Sequence, residues 1–194
     1  MTLWRSLFLV MLAGWLSGCG INNIPTYDEQ VKAAWSQVEN QYQRRADLIP
    51  NLVNTVKGYA SHEREVLVDV TEARAKVGSI QVDGSMLENP EKLKQFEQAQ
   101  RQLGSALQRL MVVAERYPDL KANETMSQLM EELTSTENRI GFARQAFNDA
   151  VMNFNTYREQ FPQNFIGGLF GSFKEAQLLK IEPEEARQAV KVTF

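Results

Sequence analysis

The part of the chain that most constrains its fold is residues 35–77, where two rows of mostly apolar side chains recur at a spacing of seven residues. One row consists of Trp35, Tyr42, Ile49, Val56, Glu63, Val70 and Val77, and the other of Val38, Arg45, Leu52, Tyr59, Val66 and Ala73. Two mostly apolar rows at this spacing correspond to the a and d positions of a heptad, along which long helices pack, as in a coiled coil. The stretch is therefore predicted to be a long amphipathic helix, which would span roughly 60 Å.

Pro50 lies inside this stretch without shifting the phase of the two rows. A proline within a helix removes one backbone donor and clashes with the carbonyl four residues earlier, so it kinks or ends the helix. The unbroken phase favours a kink in one helix, whereas the unequal lengths of the helical segments favour a fold-back into two. Both arrangements stay open at this point.

Two later segments repeat the seven-residue spacing. The first is predicted to begin near Pro90, since proline is favoured at a first helical position, and to end at Tyr117, which precedes a second proline. The second is predicted over residues 122–160. Because consecutive helices with short connections pack side by side in opposite directions, residues 28–162 are expected to form an all-α, antiparallel up-and-down bundle of three to four long helices.

The last part of the chain, residues 163–194, contains the run FIGGLFGSF, in which glycines alternate with large apolar residues. Glycine costs about 1 kcal/mol relative to alanine in a helix interior, so a water-exposed helix is disfavoured here. We expect this C-terminal segment to be irregular or extended and to pack on the bundle. A contact with a membrane or a partner is the alternative.

Residues 1–18 are expected to be a signal peptide and to be absent from the mature protein. One basic residue, Arg5, precedes an apolar run that is too short to cross a bilayer. The run ends in Leu16-Ser17-Gly18-Cys19, which resembles the lipobox of bacterial lipoproteins, where the cysteine thiol receives a diacylglyceryl group. Cys19 is the only cysteine of the chain, which excludes an internal disulfide. We therefore predict lipidation of Cys19 with acyl chains such as palmitate, followed by a tether over residues 19–27.

The charge balance and the residue after Cys19 bear on location and partners. The chain has 24 acidic and 21 basic residues, a net charge of −3, and this balance gives no reason to expect a nucleic-acid partner, which would call for a basic face. In lipoproteins of Gram-negative bacteria an aspartate after the cysteine favours the inner membrane, and this chain has Gly20 there. The sequence thus favours a protein lipid-anchored in the cell envelope, facing the periplasm, with the outer membrane preferred.

Potential catalytic residues are few. His62-Glu63 resembles the start of the zinc motif HExxH, but Val66 occupies the position of the second histidine ligand. The chain has one histidine, so a metal site would depend on carboxylates. No nucleophile elbow or phosphate-binding glycine loop is present. We expect no enzyme activity, metal or cofactor, and keep open a helical hydrolase or ligand-binding sensor that uses charged residues around His62.

Several charged residues lie on or beside the apolar rows, where an unpaired charge would cost several kcal/mol. Interhelical ion pairs that fix the register of the bundle are the favoured interpretation, with Arg45 next to Glu137 and Glu63 next to Arg144 as candidate pairs. A ligand-binding cluster of the same residues is the alternative.

Several motifs in order resemble the LemA family. They are WSQVENQYQRRADLIPNLVNTVKGYASHERE (residues 35–65), TEARA (71–75), YPDLKANE (117–124), TENRIGFARQAFNDAVMNFN (136–155), FPQNFIGGLFG (161–171) and the closing VTF (192–194). The chain departs from the family where many members read FKEKPYF, because here Phe173-Lys174-Glu175 continues into Ala176-Gln177-Leu178-Leu179.

The resemblance implies a long antiparallel helical bundle, tethered at its N-terminus to a bacterial membrane and facing out of the cytoplasm. It also implies no established enzymatic activity. Combined with Cys19 and the apolar rows, it predicts an envelope lipoprotein whose bundle serves as a protein-interaction or scaffolding module. The expected partners are the membrane and an unidentified envelope protein, and self-association of the bundle is left open.

Overall fold

The computed structural model describes residues 23–80, 86–87, 89–161, 163–164 and 174–179. Within these ranges the chain forms five helices: α1 (Asn23–Tyr59), α2 (Arg64–Gly78), α3 (Pro90–Arg116), α4 (Pro118–Lys121) and α5 (Glu124–Glu159). The all-α class predicted from the sequence is confirmed. The predicted signal peptide, the predicted lipidation site Cys19 and the FIGGLFGSF run lie outside the described residues.

The first helix passes through Pro50 and ends at Tyr59. Ile49, directly before the proline, and Leu52, two residues after it, are 1% and 0% exposed, so tertiary packing holds the helix together where one backbone hydrogen bond is lost. The helix starts at Asn23 and buries Ile24, so residues 23–27 of the predicted tether are already helical.

The chain turns back at residues 60–63, ten residues after the proline. After this turn α2 runs alongside α1, as shown by the hydrogen bond of 3.0 Å that Arg74 Nε donates to the carbonyl oxygen of Ala46. The two rows of residues 35–77 therefore belong to two helices, and the expectation of one helix up to Val77 is wrong. The fold-back considered for Pro50 occurs at the later turn.

The starts of α3 and α5 follow from capping side chains. Asn89 precedes Pro90, and its side-chain oxygen accepts hydrogen bonds from the backbone N–H groups of Glu91 and Lys92, both at 3.1 Å. Asn123 similarly accepts a bond of 2.9 Å from the backbone N–H of Met126. These bonds satisfy donors that a helix N-terminus otherwise leaves free.

Contacts between α1 and α5 run in opposite directions along the two helices. Near the start of α1 the ring of Tyr27 lies 4.9 Å from that of Tyr157, and further along Trp35 lies 5.4 Å from Phe147. At the other end of α1, Tyr59 accepts a hydrogen bond of 3.0 Å from Asn123. The two longest helices thus stay in contact over nearly their whole length.

The interior consists of two apolar clusters on either side of a polar layer. The first cluster lies towards the turn at residues 60–63 and includes Leu52, Leu103 and Leu133. The second surrounds Trp35, whose ring meets Phe96 at 5.7 Å and Phe147 at 5.4 Å. Among the helices that the structure describes, none combines the length and the hydropathy of a membrane-spanning segment.

Candidate functional site

The polar layer between the two apolar clusters is the candidate functional site. It contains the buried polar side chains Arg45, Glu97, Gln100 and Thr136, which are 1–6% exposed. Each lies on its helix between residues of the two clusters, for example Arg45 between Tyr42 and Leu48 on α1. A buried polar group destabilises the fold unless it is hydrogen-bonded or ion-paired. Each of these side chains therefore needs a partner within the layer.

Arg45 is at the centre of the layer and contacts two other helices. Its Nη1 atom donates a hydrogen bond of 2.8 Å to Glu137 Oε1 on α5. Its Nη2 atom donates to Gln100 on α3, at 2.5 Å to the side-chain oxygen and 3.3 Å to the carbonyl oxygen. The guanidinium carbon also lies 5.1 Å from the centre of the Tyr42 ring, a cation–π distance. One side chain therefore links α1, α3 and α5.

A second arginine, Arg144 on α5, lies next to Glu97, the buried acid of the layer. Its Nη2 atom lies 4.0 Å from Oε1 of Glu97, which is 6% exposed. Arg144 also acts on the Tyr42 phenol, because its positive charge favours the ionised form of that group. The layer thus holds two guanidinium groups and two carboxylates, so its charges cancel.

The pKa of the Tyr42 phenol reflects the burial of the polar layer. Burial raises the pKa of the Tyr42 phenol, and the neighbouring positive charges of Arg144 and Arg45 act in the opposite direction without cancelling this rise. Tyr42 therefore stays a neutral phenol in the folded chain at pH values where an exposed tyrosine already loses its proton.

Tyr42 is expected to make the fold less stable in alkali. Its pKa is raised in the folded chain, so its contribution is complete below the unfolded value of about 10 and is lost as pH rises towards the folded value. The loss is at most about 1.4 kcal/mol per pH unit in the free energy of unfolding. Urea unfolding at pH 9 and at pH 11 should show this loss in the wild type and a smaller one in Tyr42→Phe. The exposed Tyr59→Phe is the matched control, and equal losses in the wild type and Tyr42→Phe would contradict the expectation.

A groove of about 630 Å³ opens beside the layer, between α3 and α5, with Tyr42 and Arg45 of α1 among its lining residues. Gly104 of α3 borders it, and a Cβ atom at that position would lie 3.9 Å from Arg45 Nη1. The Nε atom of Arg45 is buried and has no hydrogen-bond partner among the described residues. The groove therefore lies beside a buried guanidinium with one donor left unpaired among the described residues.

Of the predicted ion-pair residues, the structure brings Arg45 and Glu137 together but separates Glu63 from Arg144. Glu63 Oε1 lies 3.4 Å from Arg116 Nη2 and accepts a hydrogen bond of 3.4 Å from the Tyr117 hydroxyl. The reason is the turn at residues 60–63, which places Glu63 beyond the end of α1, next to the junction of α3 and α4. The expected pair of Glu63 with Arg144 does not form; Glu63 pairs with Arg116 instead, and Arg144 lies next to Glu97.

His62 lies exposed in the same turn, away from the polar layer. Within the described ranges, no group of three or more His, Cys, Asp or Glu side chains is placed to hold a metal ion.

The sequence contained a signal for part of the polar layer that the ion-pair prediction did not use. Gln100 and Thr136 occupy seven-residue rows of their helices that otherwise carry apolar residues, as Arg45 does on α1. Polar residues on the buried rows of three helices indicate a polar layer at their meeting point. Glu97 lies outside these rows, and no sequence signal points to it.

Known proteins resemble this chain over most of its length. A model of the LemA family matches residues 34–194. Magnetosome proteins MamQ 2 and MamQ 1 of Paramagnetospirillum magneticum are each 29% identical to it over 178 residues, which cover 84% of this chain and 65% of theirs. Protein LemA of Metamycoplasma hominis is 27% identical over 135 residues, or 70% of this chain and 58% of that protein. The chain thus spans just under two thirds of the length of the MamQ relatives.

Proposed function

We propose that this chain, which belongs to the LemA family, is an envelope lipoprotein whose helices form an antiparallel up-and-down bundle that serves as a protein-interaction or scaffolding module. Family membership supports the coarser part of this proposal, a membrane-associated envelope protein. The lipid anchor and the scaffolding role are the finer part.

The observation that carries the scaffolding role is the way Arg45 ties three helices together. Its bonds to Glu137 and Gln100 fix α1 against α5 and α3 at one level of the bundle. A single buried polar position is a known device for fixing the register of packed helices. The positive and negative charges of the layer cancel, and its polar side chains interact with one another. The layer is therefore suited to fixing the relative positions of α1, α3 and α5.

The dimensions of the bundle suit a scaffold. The helices α1 and α5 have 37 and 36 residues. At about 1.5 Å per residue each is roughly 55 Å long, so the pair presents long lateral surfaces. On α5, Phe142 is 73% exposed and Met152 is 55% exposed. Ten residues of an α-helix turn by about 1000°, which leaves these two side chains within about 80° of each other around the axis.

The lipid anchor is supported by Leu16-Ser17-Gly18-Cys19, which follows the apolar run of the signal peptide. Lipid on Cys19 would hold the start of α1 beside a membrane, with the bundle in the periplasm. Gly20 favours the outer membrane for this anchor. A single acyl chain gives only marginal membrane binding, so several chains on one cysteine are needed for a stable attachment.

A photo-reactive amino acid at position 142 is expected to crosslink this chain to another envelope protein in living cells. The Phe142 side chain is 73% exposed, so the substitution should leave the fold intact. A photo-reactive residue at position 72, exposed on α2, is the matched control and should not give the same adduct. If positions 142 and 152 gave no adduct in cells where the chain is folded and membrane-bound, the interaction module would be contradicted on this face.

A second candidate function is a sensor that binds a small polar ligand in the groove beside the layer. The observation that favours it is the buried Nε atom of Arg45, which lacks a partner among the described residues. The version of this idea that uses charged residues around His62 has less support, because His62 is exposed and Glu63 is bonded to Arg116 and Tyr117. A thermal-shift screen of envelope metabolites in which no compound stabilised the chain would remove this candidate.

A further inference from the structure

Two asparagines on α5 form hydrogen bonds with the main chain of a short C-terminal segment, residues 174–179. Asn148 donates a hydrogen bond of 2.9 Å to the carbonyl oxygen of Leu179 and accepts one of 2.9 Å from its N–H group. Asn155 makes the same pair of bonds with Ala176, at 2.9 Å and 3.1 Å. Each amide thus satisfies both backbone groups of a single residue.

The spacing of these bonds requires an extended segment. Asn148 and Asn155 are seven residues apart, which corresponds to about 10.5 Å along a helix. Three residues cover about 9–10 Å in polyproline II or extended geometry but only about 4.5 Å in a helix. Polyproline II has three residues per turn and no internal hydrogen bonds, so residues three apart present free backbone groups to the same side.

The rest of the segment is held by one more backbone bond and one apolar side chain. The N–H group of Gln177 donates 3.3 Å to the carbonyl oxygen of Leu87. Leu179 is 2% exposed and belongs to the apolar cluster around Trp35, together with Met86 and Leu87. By contrast, Lys174, Glu175 and Leu178 are exposed. The site therefore recognises the backbone at three residues and the side chain mainly at one.

We propose that Asn148 and Asn155 form a docking site, termed here the Asn clamp, for an extended peptide segment of a partner protein with an apolar anchor residue. In this arrangement residues 174–179 are the resident occupant, and the partner segment competes with them. The inference deepens the proposed interaction role, because it names the kind of partner the bundle takes.

The chemistry of the clamp favours exchange of one extended segment for another. Backbone bonds do not depend on the side chains of the bound segment, and pockets for single side chains then supply specificity, as in other extended-peptide sites. A segment qualifies if it has free N–H groups at the two gripped positions and a leucine-like residue at the second. The resident segment is on the same chain and therefore present at a high effective concentration, so it reduces the apparent affinity for any competitor.

The test measures binding of a fluorescent peptide with the sequence KEAQLL, blocked at both ends, to the full-length chain in mild detergent. Leu179→Asp removes the apolar anchor of the resident segment and keeps both asparagines, so it should bind the peptide about tenfold or more tightly than the wild type. Ala176→Pro, which deletes one of the bound N–H groups and keeps the anchor Leu179, is a second variant that should free the clamp. Circular dichroism melting shows whether each variant is folded.

Replacing either asparagine of the clamp should abolish the tighter peptide binding expected for Leu179→Asp. In the Leu179→Asp background, Asn148→Ala and Asn155→Ala should each weaken peptide binding about tenfold, since each removes two hydrogen bonds. Asn153→Ala is the matched control, an exposed asparagine on the same helix, and should leave the affinity unchanged. A peptide N-methylated at its alanine keeps every side chain but loses the N–H group that donates to Asn155, so it should bind more weakly than the unmodified peptide.

Three results would overturn the proposal. They are peptide binding that is undetectable in both freed variants, binding that is insensitive to Asn148→Ala and Asn155→Ala, and a wild-type dimer that these two variants abolish. The dimer would assign the clamp to the segment of a second copy. The assay uses purified chain and peptide alone, so its failure would leave membrane attachment and crosslinking from position 142 unaffected, and those measurements fail or succeed separately.

Discussion

Replacing Glu137 by alanine is expected to lower the free energy of unfolding by about 2 kcal/mol, because it leaves the buried charge of Arg45 without its partner while Glu137 itself is partly screened by water. The guanidinium of Arg45 is only 4% exposed, whereas the Glu137 side chain reaches water at 43% exposure. After the substitution, the buried positive charge would keep its bonds to Gln100 but lose its counter-charge. The loss in the free energy of unfolding therefore comes from Arg45, whose buried charge no longer has a partner carboxylate.

The control for this prediction lies close by on the same two helices. Arg44 and Glu132 form an ion pair of 2.7 Å, nearly the same length as the 2.8 Å pair of Arg45 and Glu137. Both of its side chains are exposed, at 51% and 42%, so water screens the pair and Glu132→Ala should cost at most about 1 kcal/mol. Burial of the arginine is the main difference between the two pairs.

Urea unfolding followed by circular dichroism measures both variants on the same scale. A loss in Glu137→Ala that is clearly larger than the loss in Glu132→Ala would support the layer as the element that fixes the bundle. Equal and small losses would show that the layer contributes little to stability, and the ligand-binding alternative for the groove would then gain weight.

The sequence predicted the helices well where local signals mark their ends. Pro90 marks the start of α3, and Pro118 after Tyr117 marks its end, since the geometry that proline imposes acts within a few residues. The turn at residues 60–63 escaped prediction because Val56, Glu63 and Val70 keep a seven-residue spacing across it. Such a spacing reports which side chains are buried, and α2 buries Val70 after reversing direction.

The candidate site was predictable in kind and only partly in its pairs. Arg45 on an apolar row indicates a buried charge that needs a partner, and Glu137 lies on α5 at the level of the same layer. The partner of Glu63 could not be predicted, because it depends on where the chain turns. The Asn clamp gives no signal in the sequence, since asparagines are common on helix surfaces and residues 174–179 have an ordinary composition.

The second large effect is expected for Cys19→Ser. A serine hydroxyl cannot form the thioether that attaches a diacylglyceryl group, so the variant should carry no lipid and should leave the membrane fraction. Each buried CH₂ of an acyl chain contributes about 0.8 kcal/mol to membrane binding, and the anchor therefore outweighs any weak surface contact of the bundle. Ser17→Ala, which keeps a small residue before the cysteine, is the matched control and should be lipidated and membrane-bound like the wild type.

Metabolic labelling with an alkyne fatty acid, combined with membrane fractionation, tests the proposed envelope lipoprotein most directly. The wild type and Ser17→Ala are predicted to carry the label and to sediment with membranes, whereas Cys19→Ser is predicted to carry none and to stay in the soluble fraction. A Cys19→Ser chain that still incorporated the fatty acid, was processed normally and sedimented with membranes would contradict the lipid anchor.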